Sequence, residues 1–152
     1  MLFRSQFGDL ELAANALGVC GAAVEMAMQY ARTQRRGDKR VIDQQLIQLK
    51  LAEMHMLTEA LRSYVMRTAW ERDRALLRDE RAREFHPAMF VCNYSRTVID
   101  RVTSLNMDIH AEAGASSMPA RVEKLVRDAV IWTHLAGDSV QRMKAVRRMK
   151  WS

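Results

Sequence analysis

Four histidines, two cysteines and 18 acidic side chains are the groups in this 152-residue chain with the chemistry to hold a metal or carry a proton. A di-iron centre between helices needs Glu-x-x-His pairs, so that carboxylate and imidazole sit one turn apart on the same face. The chain has none. Glu53 and His55 are two residues apart, a spacing that turns them to different sides of a helix. His110 and His134 have no carboxylate one turn before them. His55, His86, His110 and His134 therefore read as surface or hydrogen-bonded structural histidines, and no metal site is expected. There is no G-x-S-x-G elbow and no P-loop, so Ser116 and Ser117 read as loop serines. Cys20 and Cys92 lie in apolar runs and read as reduced core thiols. Asp9 and Glu11 read as acids near a helix N-terminus, where the macrodipole favours them. The eleven methionines, at helical spacing, read mostly as core.

The elements that would position these groups are helices. Hydrophobic residues make up 49% and charged residues 28%, and only two prolines and six glycines interrupt them, so an all-α chain with a real core is expected. A first helix is expected over about 10–33, with Leu10, Ala14, Leu17, Val24, Ala27 and Ala31 facing inward and Gly18 and Gly21 admitting a close neighbour. The run Arg35–Arg40 breaks it. Asp43 would cap a second helix reaching about Arg72, with Ile47, Leu51, Met54, Leu57, Leu61, Tyr64 and Thr68 on one face. The mixed charges of 71–84 read as a solvated connection. A third helix starts at Pro87 and runs to about Gly114, inner face Val91, Ser95, Val98, Val102, Leu105 and Ile109. After the loop at 114–119, a fourth spans about 120–134, and a fifth, capped by Asp138 or Ser139, runs to the end. The sum is one domain over 1–152: an up-and-down bundle of the four-helix kind, built from five helices.

The net charge of +6 would suit an acidic partner. The cluster Arg142, Lys144, Arg147, Arg148 and Lys150 has only Trp151 beside it for base stacking, so it reads as a solvated basic face or subunit contact and nucleic acid is not expected. Arg4, Asp9 and Glu11 argue against a signal peptide, and no uncharged run nears the ~20 residues of a membrane span, so the expected location is the cytoplasm.

Several motifs together resemble one family. Leu12–Gly18 is similar to L-A-A-x-x-L-G; Tyr30-Ala31-Arg32 follows; Val41–Met54, V-I-D-Q-Q-L-I-Q-L-K-L-A-E-M, resembles I-x-x-F-Q-x-I-Q-x-K-L-A-D-M without a gap. Leu125–Ala129 and Gln141-Arg142 are similar to the family's L-x-R-D-A and closing Q-R. The pattern is that of the acyl-CoA dehydrogenases, over their C-terminal helical domain; the N-terminal helical and middle β-domains, which supply much of the flavin and acyl-CoA site, are expected to be absent from this chain.

That resemblance implies FAD as the family cofactor and flavin-dependent oxidation of acyl-CoA thioesters as the family reaction. It also implies losses. The usual catalytic glutamate, before Gly137, falls on Ala136, whose methyl cannot accept a proton. The alternative glutamate falls on Gly8, and the arginine after it on Asp9. The R-x-x-F-G turn, which contacts a neighbouring subunit's flavin nucleotide, is met by Gln34, Gly37 and Asp38; the Q-x-x-G-G turn by Asp108, Ile109, His110, Ala111 and Glu112; the threonine after the glycine by Asp138. Val41, Gln44, Ile47 and Gly137 remain compatible with cofactor contacts. The expectation is a degenerate domain without catalytic residues, binding no flavin alone, with a role in self-association or beside an intact acyl-CoA dehydrogenase subunit, and meeting acyl-CoA only in a full-length context. A dead subunit of a mixed oligomer and an unrelated helical interaction module are the alternatives.

Overall fold

The computed structural model describes residues 3–77, 86–112 and 118–135, with positions 143, 146 and 147. Four helices dominate: α1 Phe3–Thr33, α2 Gln45–Leu77, α3 His86–Glu112 and α4 Ala120–Leu135. Between α1 and α2 stand two short strands, β1 Arg35–Arg36 and β2 Lys39–Arg40, and a 3-10 turn, Val41–Asp43.

The helices alternate in direction. Tyr30, late in α1, meets His110, late in α3, while Lys50, early in α2, meets Glu112 at the end of α3. The Trp132 indole N–H, late in α4, donates to the Leu12 carbonyl at 3.2 Å, near the start of α1. This is the up-and-down arrangement expected, and α1 and α3 form its centre. The fifth expected helix falls on 138–152, where only Met143, Val146 and Arg147 are described, each helical.

The inner face of α3 is as expected: Val91, Ser95, Val98, Val102, Leu105 and Ile109 are all buried. So is that of α2, with Thr58 and Val65 joining it and Leu57 and Tyr64 at its margin. The face of α1 is as expected at Leu10, Ala27 and Ala31, which are buried, and differs at the other positions. Ala13, Ala16, Cys20, Ala23, Ala27 and Ala31 are buried, whereas Ala14 is exposed and Leu17 and Val24 are only partly covered. A stripe of alanines lets the α1 backbone come close to α3, and the larger side chains seal its edges. Gly18 and Gly21 play no part in that approach, since a Cβ on either would meet nothing within 4 Å.

Other expectations are corrected at the helix ends. α1 begins at Phe3, so Asp9 and Glu11 lie beyond its first turn and the dipole does not account for them. Asp43 does not cap α2: it sits in the 3-10 turn and accepts from Arg40 at 3.3 Å. The Gln48 side-chain amide instead satisfies the Ile42 carbonyl at 3.0 Å as α2 begins. The Arg35–Arg40 break is a β-hairpin, with Arg35 paired to Arg40 and Gly37 at φ +60°, in the left-handed region. α2 continues to Leu77 through the first half of the charged run.

Both cysteines are buried, and burial pushes the Cys20 thiol up to about 12. The methionines divide: Met54 is core, but Met56, Met66 and Met143 are exposed. Gly8–Thr33 is, by length and composition alone, long and apolar enough to cross a membrane, although Asp9, Glu11, Glu25 and Arg32 interrupt it and no uncharged run in it nears ~20 residues.

Candidate functional site

Of the mapped positions, Gln34, Gly37, Asp38, Val41, Gln44, Ile47 and the stretch 108–112 lie at one end of the bundle, where the end of α1, the hairpin, the start of α2 and the end of α3 converge. Gln34, Gly37 and Asp38 are exposed on the hairpin. Val41 and Ile47 are fully buried, so their side chains belong to the core beneath; Gln44 between them is half-buried. The Val41 N–H donates to the Gln34 carbonyl at 3.0 Å, tying the 3-10 turn to the end of α1.

Four of the cations at this end, Arg35, Arg36, Arg40 and Lys50, have acceptors within the chain. Arg35 donates to the Asp38 carbonyl across the turn, and Arg40 to the Asp43 carboxylate. Arg36 reaches the Glu112 carbonyl at 2.7 Å, satisfying one of the free carbonyls at the end of α3. Lys50, largely covered, donates to the Glu112 carboxylate and lies 3.5 Å from Asp108. Burial works against the Lys50 ammonium, but the bond to Glu112 and the two nearby carboxylates outweigh it and hold its pKa above the ordinary lysine range. Asp108 and Glu112, one turn apart on α3, would repel each other without that cation.

Immediately inside lies a polar pair. The rings of Tyr30 and His110 are 4.0 Å apart between centroids and tilted by 32°. His110 Nδ1 lies 2.8 Å from the Asn106 carbonyl oxygen, so that nitrogen carries the proton and donates. His110 is buried, in keeping with a structural histidine, while His55 is exposed. Next to it, the Asn106 side chain is fully buried, and neither its amide nitrogen nor its oxygen has a hydrogen-bond partner.

Gly8 is far from this cluster along α1, and a Cβ there would meet nothing within 4 Å. Its neighbour Asp9 is half-buried; burial raises its pKa, and a hydrogen bond with the Cys92 side chain opposes the shift only in part. Ala136, Gly137 and Asp138 lie outside the described residues. Among the described residues, no group of three or more His, Cys, Asp or Glu side chains is placed to hold a metal ion.

The family pattern described as acyl-CoA dehydrogenase, C-terminal domain, matches residues 6–150. The chain belongs to the acyl-CoA dehydrogenase family. Its relatives agree: it is 26% identical, over 97% of its length, to the probable acyl-CoA dehydrogenase YngJ of Bacillus subtilis. It is 27% identical, over 90% of its length, to the caffeyl-CoA reductase-Etf complex subunit CarC of Acetobacterium woodii. Among solved structures, butyryl-CoA dehydrogenase from Megasphaera elsdenii superposes with a TM-score of 0.79 at 27% identity over 97% of the chain. The chain spans 37% of the first of these proteins, 34% of the second and 38% of the third. Acyl-CoA dehydrogenase membership removes the alternative of an unrelated helical module.

Sequence reasoning alone pointed to the positions of Gln34, Asp38, Asp108 and Glu112, but not to Lys50, Arg36 or Tyr30 as their neighbours. Lys50 stood inside a matched motif, yet nothing in that motif tells which distant carboxylates it meets.

Proposed function

We propose that this chain is the C-terminal helical domain of an acyl-CoA dehydrogenase-type protein, that it does not oxidise acyl-CoA by itself, and that its role is self-association. The observation that carries this reading is the commitment of Arg35, Arg36, Arg40 and Lys50 to acceptors in their own chain. A flavin nucleotide needs cations and free backbone amides for its diphosphate. Here two carboxylates stand where the family places a glycine turn, and Gln34 stands where it places a charged fork. These residues do not fit a diphosphate. Val41, Gln44, Ile47 and Gly137 are the positions still compatible with a cofactor, but Val41 and Ile47 are buried and could offer one only backbone.

The base is the second part of the reading. Gly8 offers no proton acceptor, and neither does the methyl of Ala136. With 34–38% of the relatives' length spanned, the rest of a flavin and acyl-CoA site belongs to domains outside 1–152. A cytoplasmic location goes with this reading, as do a second copy or an intact dehydrogenase subunit as partner.

The purified chain should be colourless, should take up no FAD on dialysis, and should not reduce an artificial electron acceptor with acyl-CoA. Stoichiometric yellow flavin would overturn the proposal. The match to a subunit of a named multi-subunit complex favours a second reading, a catalytically dead subunit in a mixed oligomer. Co-purification with an intact dehydrogenase at fixed stoichiometry would support it; recovery of only the chain itself would end it.

A further inference from the structure

α1 and α3 run parallel and in step. The Asp9 carboxylate, early in α1, meets the Cys92 thiol, early in α3, and Tyr30, late in α1, meets His110, late in α3. Cys92 and His110 stand a whole number of helical turns apart, so they mark one line along α3, the line that faces α1. Ser95, Ile99, Thr103 and Asn106 lie within about 60° of that line. All six are buried. Opposite them α1 presents its alanine stripe, and between the two meeting points Asn106 comes level with Ala23 and Ala27, both buried.

A polar line thus packs against an apolar one. Three of its side chains find acceptors in their own helix. Ser95 Oγ donates to the Cys92 carbonyl at 2.7 Å, Thr103 Oγ1 to the Ile99 carbonyl at 2.8 Å, and His110 Nδ1 to the Asn106 carbonyl at 2.8 Å. The Asn106 side chain finds none. Its amide nitrogen donates to no protein group, and its oxygen accepts from none. The methyls of Ala23 and Ala27 can answer neither. Buried side-chain amides in folded chains are hydrogen-bonded to protein or to ordered water, because bare burial forfeits the bonds they make in solvent.

We infer that Asn106 holds one buried water molecule between α1 and α3, level with Ala23 and Ala27. The inference stands apart from the self-association reading. A primary amide presents an N–H and its C=O on the same edge, so a single water accepts from the nitrogen and donates to the oxygen. The second hydrogen of that water has an acceptor one turn back on the same line. Thr103 Oγ1 gives its own hydrogen to the Ile99 carbonyl and keeps its lone pairs. That makes about three hydrogen bonds, the usual number for a buried water. A charged ligand would find no counter-charge on Ala23, Ala27, Cys20 or Thr103. Burial keeps the Cys20 thiol neutral, pushed up to about 12.

The test uses the full chain in solution. In nitrogen-edited NOE and ROE spectra, the Asn106 side-chain amide should show a cross-peak at the water frequency. Its signs should be opposite in the two spectra, as for a long-lived bound water, and not the same, as for proton exchange. Magnetic relaxation dispersion of the water oxygen, which no exchanging hydroxyl can mimic, should lose the share of one long-lived water per chain in Asn106→Leu. Should that variant fail to fold, the wild-type spectra decide alone. An Asn106 amide without the water cross-peak, or with cross-peaks that lead to the polar protons of another side chain instead, would overturn the inference. An oxygen dispersion unchanged in folded Asn106→Leu would overturn it as well.

Discussion

The ammonium of Lys50 donates a hydrogen bond to the carboxylate of Glu112, joining the second turn of α2 to the last residue of α3 across 62 positions of sequence. With Asp108 3.5 Å away and Arg36 on the Glu112 carbonyl, this pair closes the end of the bundle where α1, α2 and α3 converge.

Lys50→Met should therefore destabilise the chain by about 1–3 kcal/mol, because it leaves two partly covered carboxylates facing each other without their cation. Adding Asp108→Asn and Glu112→Gln to that variant should recover part of the loss. Urea melts of the three proteins measure this; a triple variant less stable than the single one would show that the acids have other partners.

Tyr30 and His110 are expected to be coupled. In a double-mutant cycle with Tyr30→Ala and His110→Ala, each change should destabilise, and the interaction energy should be about 0.5–1.5 kcal/mol, as for packed aromatic pairs. Strict additivity would mean that the 4.0 Å stacking contributes only through burial.

Asp9 should make stability fall as pH rises. Its folded pKa is raised, chiefly by burial, above the ordinary value of 3.8. The folded state thus holds the proton more tightly than the unfolded one. The stabilising share is complete below pH 3.8 and is lost as pH climbs through the raised folded value. Asp9→Asn should be more stable than the parent at neutral pH and indistinguishable from it in acid, as read from melting temperatures across a pH series. An Asp9→Asn chain that loses stability at neutral pH would show that the charged form is the favoured one.

The sequence by itself determined which segments are helical, their order, and the inner faces of α2 and α3, because their large apolar residues repeat at helical spacing and few breakers interrupt them. It also determined the family, through motifs that recur in order along the chain and match over residues 6–150. The face of α1 was legible only at Leu10, Ala27 and Ala31; the rest was hidden because alanine scarcely differs from side to side in hydrophobicity, and only the packing against α3 shows which other alanines are inside. Lys50 with Glu112, Tyr30 with His110 and Cys92 with Asp9 were equally hidden, since each pair joins residues more than 60 positions apart. Asn106 stood in the sequence as one more polar residue of α3, and nothing local says what faces it. Tertiary structure decided that by packing α3 on the alanine stripe of α1, which buries the amide against side chains that cannot hydrogen-bond.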